Sequence, residues 1–268
     1  MVDVMTLLMP LLRCPQCRHP SLREDSTGLV CPDCGAAYPM HNGILSLLAP
    51  EDRNRAARAF GRFAARMYDL TAARGGFRRF VAGDIGAEVR RFTQPLRLNA
   101  DDLIADVGCG TGNYTLEFAR QVHRGLAIGI DLSAAMLELF AEHTRAAQCG
   151  NVVAIQASAE NLPFREGCLS KMFNGCLHHL APRLLPTLEE ARRTLRDGAI
   201  FYSLMNVEAK SWLMRWLQRF SMGRTARPVS IPALRADIQR AGFAEIRIED
   251  AGLARFYFGS CYAEKPPA

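Results

Sequence analysis

Two cysteine pairs near the start of the chain have the spacing of a metal site. Cys14 and Cys17 form one CxxC turn, Cys31 and Cys34 form another, and thirteen residues separate the pairs. Each turn can present two thiolates, and together they complete the tetrahedral shell that Zn²⁺ prefers. A lone CxxC would also fit redox chemistry, but the matched pair favours a closed, structural zinc site.

The residues around these cysteines predict a small zinc ribbon, which we assign to residues 1–48. The segment that ends at 28–30 predicts a short hairpin, and residues 38–44 predict a strand and a turn. We expect the metal to replace a core of the ribbon's own, so that the core of the remaining chain lies elsewhere. His41 is an alternative ligand that four cysteines make unnecessary. A metal pattern in place of a disulfide framework favours a reducing cytoplasm.

A second group of residues lies where an apolar run, 103–107, meets a glycine-rich turn. Asp106 is followed by Gly108, Gly110 and Gly112. Glycines at this place allow a sharp turn and bring backbone N–H groups close to a ligand. The spacing GxGxG differs from the GxGxxG of dinucleotide sites. Moreover, the acid before it would repel a pyrophosphate but hold a cationic amino group.

Polar residues also follow the next two apolar runs. Asp131 ends the second run, nineteen residues after Gly112, where a carboxylate can accept hydrogen bonds from both hydroxyls of a ribose. Ser158, Ala159 and Glu160 follow the third run, where an adenine edge would lie. The carboxyl ends of parallel strands form the crevice in which such folds bind ligands.

The elements that position these residues alternate along the chain from residue 103 onward. Alternation of strands and helices predicts an α/β fold, with a parallel sheet covered by helices on both faces. The predicted strands are 103–107, 126–130, 152–157, 171–176 and 199–204, and the predicted helices are 114–122, 133–147, 184–195 and 231–241. Two final strands, 245–250 and 256–263, predict an antiparallel hairpin at one sheet edge. We assign residues 99–268 to this domain.

Residues 49–98 predict a helical linker and cap ahead of the sheet. Apolar side chains recur there at helical spacing, namely Phe60, Phe63, Ala64, Met67 and Tyr68. Residues 51–97 also contain eleven arginines against five acidic residues. We expect a solvated basic face with the aromatic side packed on the domain, and a break at residues 75–76. An RNA-binding arm is the alternative.

These residues together resemble the class I S-adenosylmethionine (SAM) methyltransferases, whose Rossmann-like sheet has seven strands. The resemblance covers about residues 60–263 and depends on five motifs in order: DVGCGTG at 106–112, GIDLS at 129–133, ENLPF at 160–164, NGCLHHL at 174–180 and LRDGA at 195–199. It implies a SAM-dependent methyltransferase with a small zinc ribbon.

The resemblance also implies which residues bind SAM. Asp106 would hold the methionine amino group, and Asp131 would hold the ribose. The full implied set is Tyr68, Asp106, Gly108, Cys109, Gly110, Gly112, Asp131, Leu132, Met136, Ser158, Ala159, Glu160 and Asn174. Ser158 departs from the family, which usually has an adenine-binding Asp there, so that this contact weakens or passes to Glu160. Ser170 replaces another common acid.

Two histidines are the candidate catalytic residues. Methyl transfer requires alignment and, for an O–H or N–H acceptor, removal of a proton. His178 and His179 lie just beyond the fourth predicted strand, where either could act as the base. The alternative is that the pair caps a helix or lines the pocket.

Two subfamilies compete for the methyl acceptor. Residues 63–69 and the NGCLHHL motif resemble ubiquinone/menaquinone-type methyltransferases, whereas the ribbon resembles that of bacterial rRNA guanine-N1 methyltransferases, which helps to grip RNA. Residues 1–50 contain three arginines against four acidic residues, although a module that grips phosphates should be basic. We therefore favour a small-molecule acceptor, enclosed by Tyr68, His178 and a lid at 206–227. RNA and a catalytically inactive interaction protein are the alternatives.

Composition excludes several other classes. The chain has 268 residues, 49% of them hydrophobic and 22% charged, which excludes a disordered chain and a coiled coil. Its net charge is +6, but only three of 33 basic residues are lysines, so we attribute the arginine excess to codon bias rather than to nucleic-acid binding. No apolar run reaches the roughly 18–20 residues of a membrane span.

Overall fold

The computed structural model describes the protein over residues 4–70, 89–90, 92–180, 183–208, 212, 216, 228–253 and 256–267. Its helices are α1 (Val4–Leu8), α2 (Pro50–Ala57), α3 (Arg62–Tyr68), α4 (Asn113–Gln121), α5 (Ala134–Ala147), α6 (Leu177–Leu180), α7 (Leu184–Thr194) and α8 (Ile231–Arg240). Single 3₁₀ turns span Met9–Leu11 and Gln94–Leu96. No helix among the described residues is both long and apolar enough to cross a bilayer.

The strands form one mixed sheet. They are β1 (Arg23–Asp25), β2 (Gly28–Val30), β3 (Ala37–His41), β4 (Ile44–Ser46), β5 (Leu103–Val107), β6 (Leu126–Asp131), β7 (Val152–Gln156), β8 (Leu169–Asn174), β9 (Leu195–Asn206), β10 (Ala244–Leu253) and β11 (Phe256–Glu264). Their order across the sheet is β1-β2-β3-β4-β7-β6-β5-β8-β9-β11-β10. Strands β7, β6, β5, β8 and β9 are parallel, and β11 is antiparallel to both β9 and β10. The predicted seven-stranded α/β sheet, with its terminal hairpin, is confirmed.

The ribbon continues this sheet beyond β7. Strands β3 and β4 form a hairpin whose two turn residues, Asn42 and Gly43, have φ values of 53° and 81°, as a tight primed turn requires. The hairpin places β4 parallel to β7, with Ile44 opposite Ala154. The four short ribbon strands are therefore part of the same sheet as the parallel strands β5 to β9.

The expectation that the ribbon and the rest of the chain have separate cores is wrong. One cluster of buried side chains contains Leu12, Leu29 and Leu45 from the ribbon together with Ile155 and Phe164 from the sheet domain. Each of these five side chains is at most 2% exposed. A three-residue strand and a thiol cluster bury too little surface by themselves, so the ribbon packs its apolar side against the larger domain.

Two details of the β8–β9 region differ from expectation. The predicted turn at 195–199 is the first part of β9, with a register shift opposite Leu169–Lys171 and a positive φ of 71° at Gly198. This bulge accommodates the change in direction without ending the strand. The Ser170 hydroxyl bonds both the N–H and the carbonyl of Leu103, at 2.9 and 3.1 Å, so this serine joins two strands.

The aromatic side of α3 does not pack on the domain, which contradicts the expectation for the cap. Phe63 is 80% exposed, whereas Ala65 is the one residue of α3 that is fully buried. The buried contact of the helix with the domain is made by its small face, because Ala65 packs against Met136 and Leu139 of α5. The expected break at 75–76 and most of the expected lid at 206–227 lie outside the described residues.

Candidate functional site

The four ribbon cysteines converge on one point. Their sulfur atoms all lie within 4.8 Å of one another. Cys14 Sγ is 3.7 Å from Cys34 Sγ, and Cys17 Sγ is 3.5 Å from Cys31 Sγ. Four thiolates about 2.3 Å from a tetrahedral metal would be about 3.8 Å apart, so this cluster has the dimensions of a metal site.

Neighbouring donors prepare one of these thiols to bind a metal. Although burial raises it, hydrogen bonds from the Cys17 N–H and the Tyr38 hydroxyl bring the pKa of Cys14 down to about 7. Metal binding requires the thiolate, so a lowered pKa favours it. The Tyr38 side chain is itself buried, which fixes this support in place.

The glycine-rich turn leads from β5 into α4 and is hydrogen-bonded to the end of β6. The N–H groups of Gly108 and Cys109 both donate to the Ile130 carbonyl, at 2.7 and 3.0 Å. The turn closes when the Gly112 N–H donates to the Cys109 carbonyl at 3.0 Å, and α4 begins at the next residue. Asp106 and Asp131 are thereby held at neighbouring strand ends, as predicted from the sequence.

Asp106 is a buried acid whose charge has no cation to balance it. The side chain is 2% exposed, and its Oδ2 accepts a hydrogen bond from the Thr115 hydroxyl at 2.6 Å. Burial, reinforced by the charge of Asp131, raises the pKa of Asp106 to about 7. No lysine or arginine in the described part of the chain pairs with it. A cationic ligand group would restore the balance.

Asp131 is oriented by two backbone donors. Its Oδ2 accepts a hydrogen bond from the Gly110 N–H at 2.9 Å, and its Oδ1 accepts one from the Ser133 N–H at 2.8 Å. Burial raises its pKa, against these hydrogen bonds and the charge of His179. Each carboxylate oxygen keeps a further lone pair, so the group can accept two hydrogen bonds from a diol.

The three glycines of the turn have different reasons to be glycine. A Cβ at Gly112 would overlap the Phe140 ring, and one at Gly108 would overlap Cys176 Sγ. At Gly110 the nearest atom to such a Cβ is Cε1 of Tyr68, at 3.9 Å. Gly108 and Gly112 therefore serve packing, while Gly110 keeps the backbone open beneath Tyr68.

Cys109 and Met136 both pack against buried clusters. Cys109 is half-buried and packs against the cluster that contains Phe140. Met136 is 4% exposed and packs against Ala65. Leu132 is half-buried, and its carbonyl accepts from the Gln156 amide at 3.2 Å. Their contact with a cofactor stays a prediction.

The segment after β7 shows an arrangement that the sequence did not reveal. Ser158 is 2% exposed, and its hydroxyl lies near the carboxyl of Asp52, which α2 supplies. Glu160 instead pairs with Arg55 at 2.6 Å and with Arg183 at 3.3 Å. If Glu160 made the adenine contact in place of residue 158, as expected, its carboxylate would be shared between the adenine and two arginines. The buried carboxyl at Ser158 belongs to Asp52.

A cleft of about 310 Å³ lies between this segment and the ribbon. Its lining residues are Pro15, Gln16, Arg18, Glu51, Asp52, Arg55, Glu160, Asn161 and Arg183. The ribbon holds the segment directly, because the Asn161 amide donates to the Pro15 carbonyl at 3.0 Å and the Arg13 N–H donates to the Pro163 carbonyl at 3.0 Å.

Tyr68 reaches the glycine turn from the cap, and its predicted contact with a cofactor stays a prediction. The next residue, Asp69, lies with its Oδ2 3.3 Å from Nε2 of His143, and Nδ1 of that ring bonds the Thr111 carbonyl at 2.9 Å. His143 therefore links the cap to the glycine turn. His143 was missed in the sequence because nothing in a helical pattern marks a histidine that joins two distant segments.

The end of β8 carries the remaining predicted residues. Asn174 is 1% exposed, and its Oδ1 accepts from the Cys176 N–H at 2.9 Å, while its Nδ2 has no partner within the described residues. Helix α6 carries both histidines; the His179 ring is exposed, and the His178 side chain lies outside the described residues. Trp212 and Trp216, from the expected lid, are 74% and 53% exposed. A catalytic role for either histidine stays a prediction.

Comparison with known proteins matches both parts of the chain to families. Residues 104–198 match the family described as "Methyltransferase domain", and residues 6–43 match "Trm112p-like protein". A demethylmenaquinone methyltransferase of Symbiobacterium thermophilum is 32% identical over 117 residues, which are 43% of this chain and 47% of that protein. The matches thus span about half the length of such relatives.

Solved structures share the fold. A SAM-dependent methyltransferase from Aquifex aeolicus superimposes with a TM-score of 0.58 at 17% identity, covering 77% of this chain and 99% of that one. Geranyl diphosphate C-methyltransferase from Streptomyces coelicolor gives 0.57 at 15% identity, over 67% of this chain and 78% of that one. With the strand order, these matches show that the chain has the class I methyltransferase fold, with a methyltransferase-domain match over residues 104–198 and, ahead of it, a Trm112p-like match over residues 6–43 that contains the four cysteines.

Proposed function

We propose that this protein transfers the methyl group of SAM to a small, apolar acceptor. The observation that carries the proposal is the pair of carboxylates at adjacent strand ends, Asp106 buried and Asp131 half-buried, of which Asp106 has no cationic partner within the described residues. SAM has a cationic amino group and a ribose diol, which are the two groups that such a pair can bind.

The residues present fit this cofactor. Asp106 would bind the methionine ammonium, and Asp131, already aligned by two N–H groups, would accept hydrogen bonds from the ribose hydroxyls. Ser158 and Asp52 would lie at the adenine side. Bound there, SAM supplies an electrophilic methyl carbon.

The chain's own residues then have to align the acceptor and exclude water. Tyr68 covers the turn at Gly110, beside the strand ends at which SAM would bind. At the neighbouring strand end, Asn174 offers an amide group that has no partner within the described residues. If the acceptor group loses a proton, His179 on α6 is the titratable residue near Asp131 that could receive it.

A small acceptor is supported by the ribbon and by the cap. The ribbon, with its net negative composition, is joined to the sheet and to Pro163, so it is not a free basic arm. The apolar residues of α3 lie next to Tyr68. The Symbiobacterium relative is named for a quinone-type acceptor, and the Streptomyces structure contains an isoprenoid diphosphate, both small molecules.

We further propose that the ribbon holds one structural Zn²⁺. Four thiols at tetrahedral spacing leave no open coordination position for catalysis. Elemental analysis of protein purified under reducing conditions should find about one zinc per chain, and less than half an equivalent would contradict the assignment.

The RNA alternative is favoured by the exposed arginines of α2 and α3, such as Arg53 and Arg66. The two are separated by supplying labelled SAM to total RNA and to a small-molecule extract, both from a strain that lacks the protein. We expect label in the extract only. Label at one position of large-subunit rRNA, with none in the extract, would overturn the small-molecule assignment; label in neither, with no SAM binding, would indicate an inactive protein.

A further inference from the structure

Helix α3 and the turn that continues it to residue 70 present an apolar stripe to solvent. Phe63, Met67 and Leu70 follow one another at intervals of four and three residues, and are 80%, 44% and 68% exposed. This spacing places the three side chains on one face of a helix, the pattern by which a helix normally meets a core. In α3 that face points away from the domain, since Ala65 makes the contact with α5. A contiguous exposed apolar face indicates an interaction surface.

The exposed charges of residues 58–70 have one sign. Arg58, Arg62 and Arg66 are exposed, whereas the Asp69 side chain is 13% exposed and lies against His143. Farther back in the cap, Asp52 is 5% exposed and Glu51 is exposed. Glu138 of α5 pairs with Arg62 at 3.2 Å. The face is therefore apolar along its middle and positive at its sides.

We propose that this α3 face, defined as Phe63, Met67, Leu70 and the three arginines, docks on the surface of an anionic phospholipid bilayer. An interfacial helix combines apolar residues that enter the headgroup boundary with cations that pair with lipid phosphates. Single-stranded RNA would require flat rings for base stacking, and Met67 and Leu70 do not supply them. The observations thus favour lipid over RNA.

Docking in this way would bring the ends of β5 and β6, where SAM would bind, to the membrane. Tyr68 lies within the same helix, and its Cε1 atom is 3.9 Å from the position that a Cβ at Gly110 would occupy. An acceptor dissolved in lipid would then reach the site along α3 without crossing water. This last step rests on the proposed small, apolar acceptor; the docking itself does not.

The test is vesicle flotation of the full-length protein. Vesicles of phosphatidylcholine alone are compared with vesicles that also contain phosphatidylglycerol, at low and at high salt. We expect binding only to the anionic vesicles at low salt. The variant Phe63→Ser/Leu70→Ser should lower the partition coefficient about tenfold, because two large side chains no longer leave water. Met40→Ser, which removes an apolar side chain of 39% exposure on the ribbon, should leave it unchanged.

The electrostatic part has its own variants. Arg62→Gln/Arg66→Gln should abolish the difference between anionic and neutral vesicles, since each lost cation near the surface costs about tenfold or less in partition. Arg240→Gln, on a side chain 71% exposed at the end of α8, is the matched control and should behave as the wild type.

Three results would overturn the proposal. One is equal flotation of wild type and Phe63→Ser/Leu70→Ser. Another is a dimer in sedimentation that this variant dissociates, because a second copy would then cover the face. The third is salt-sensitive binding to RNA with none to vesicles. SAM titration of the same variants separates this from the proposed function: unchanged SAM affinity without flotation refutes docking alone, and flotation without SAM binding refutes the enzyme alone.

Discussion

The ribbon (residues 1–48) and the cap (residues 50–70) are attached to the sheet domain differently. The ribbon shares the backbone hydrogen bonds of β4 and β7 and the main buried cluster. The cap is held by Ala65, by the Asp69–His143 contact and by the ion pair of Arg55 with Glu160. The ribbon is thus part of the sheet and its core, whereas the cap is joined to the domain by a few side-chain contacts.

The largest effect is expected from loss of the ribbon's metal. Because the ribbon core is continuous with the sheet core, Cys14→Ser/Cys17→Ser should lower the stability of the whole chain in a single transition. Structural zinc contributes on the order of 10 kcal/mol in small fingers, comparable with the stability of a domain. Thermal unfolding followed by circular dichroism measures this.

The control for that experiment is Cys149→Ser, which changes a half-buried cysteine outside the cluster. Its unfolding temperature should fall much less. Two separate transitions, with the upper one unchanged by metal removal, would show that the ribbon folds independently and would cancel the distinction drawn between ribbon and cap.

A smaller but still large effect is expected at the glycine turn. Gly112→Ala should lower the free energy of unfolding by about 2–4 kcal/mol, because its Cβ would overlap the buried Phe140 ring at a backbone φ of 82°. Gly110→Ala, where only Tyr68 is near, should be milder in stability and weaken SAM binding instead. Urea unfolding and calorimetry of both variants compare the two; equal stability losses would refute the division of roles.

The buried acid of β5 predicts a pH dependence. The pKa of Asp106 in the cofactor-free protein is raised to about 7, far above its value in an unfolded chain. The protein therefore loses stability from this group as pH rises toward 7, while SAM, as a cation, binds the ionised form. We expect SAM affinity to fall up to about tenfold per pH unit below 7. Asp106→Asn should weaken SAM binding and remove this pH dependence. A pH dependence that persists in the variant would mean that another group causes it.

The smallest effect is expected from the link between cap and turn. His143→Ala removes the contacts with Asp69 and with the Thr111 carbonyl, and should cost about 1–3 kcal/mol of stability and weaken SAM binding a few-fold. His123→Ala changes an exposed histidine and is the control. Unchanged SAM affinity in His143→Ala would mean that the cap does not order the turn.

The sequence was sufficient for the strands, for the four cysteines and for Asp106 and Asp131, because these follow from periodicity and local spacing. It was insufficient for contacts between distant segments. The pairing of Asp52 with Ser158 joins α2 to the loop after β7, and no local pattern announces it. The pairing of β4 with β7 was also missed, because a metal pattern suggests an independent module.

The cap shows the limit of periodicity in another way. The recurrence of Phe63 and Met67 correctly predicted a helix, but it could not tell whether the apolar face meets the domain or a partner. Helical spacing specifies that side chains share a face, and only packing decides what that face touches. Here the small side chain of Ala65 makes the closer approach to α5.

The most direct test of SAM binding by the strand-end carboxylates is calorimetric titration of SAM into the wild type and into Asp131→Ala. We expect saturable binding to the wild type and at least about tenfold weaker binding to the variant, because two charge-assisted hydrogen bonds of roughly 1.5–3 kcal/mol each are lost. Asp101→Ala, which changes an exposed acid paired with Arg124, should bind as the wild type does. Equal affinity of wild type and Asp131→Ala, or no binding to either, would contradict the account.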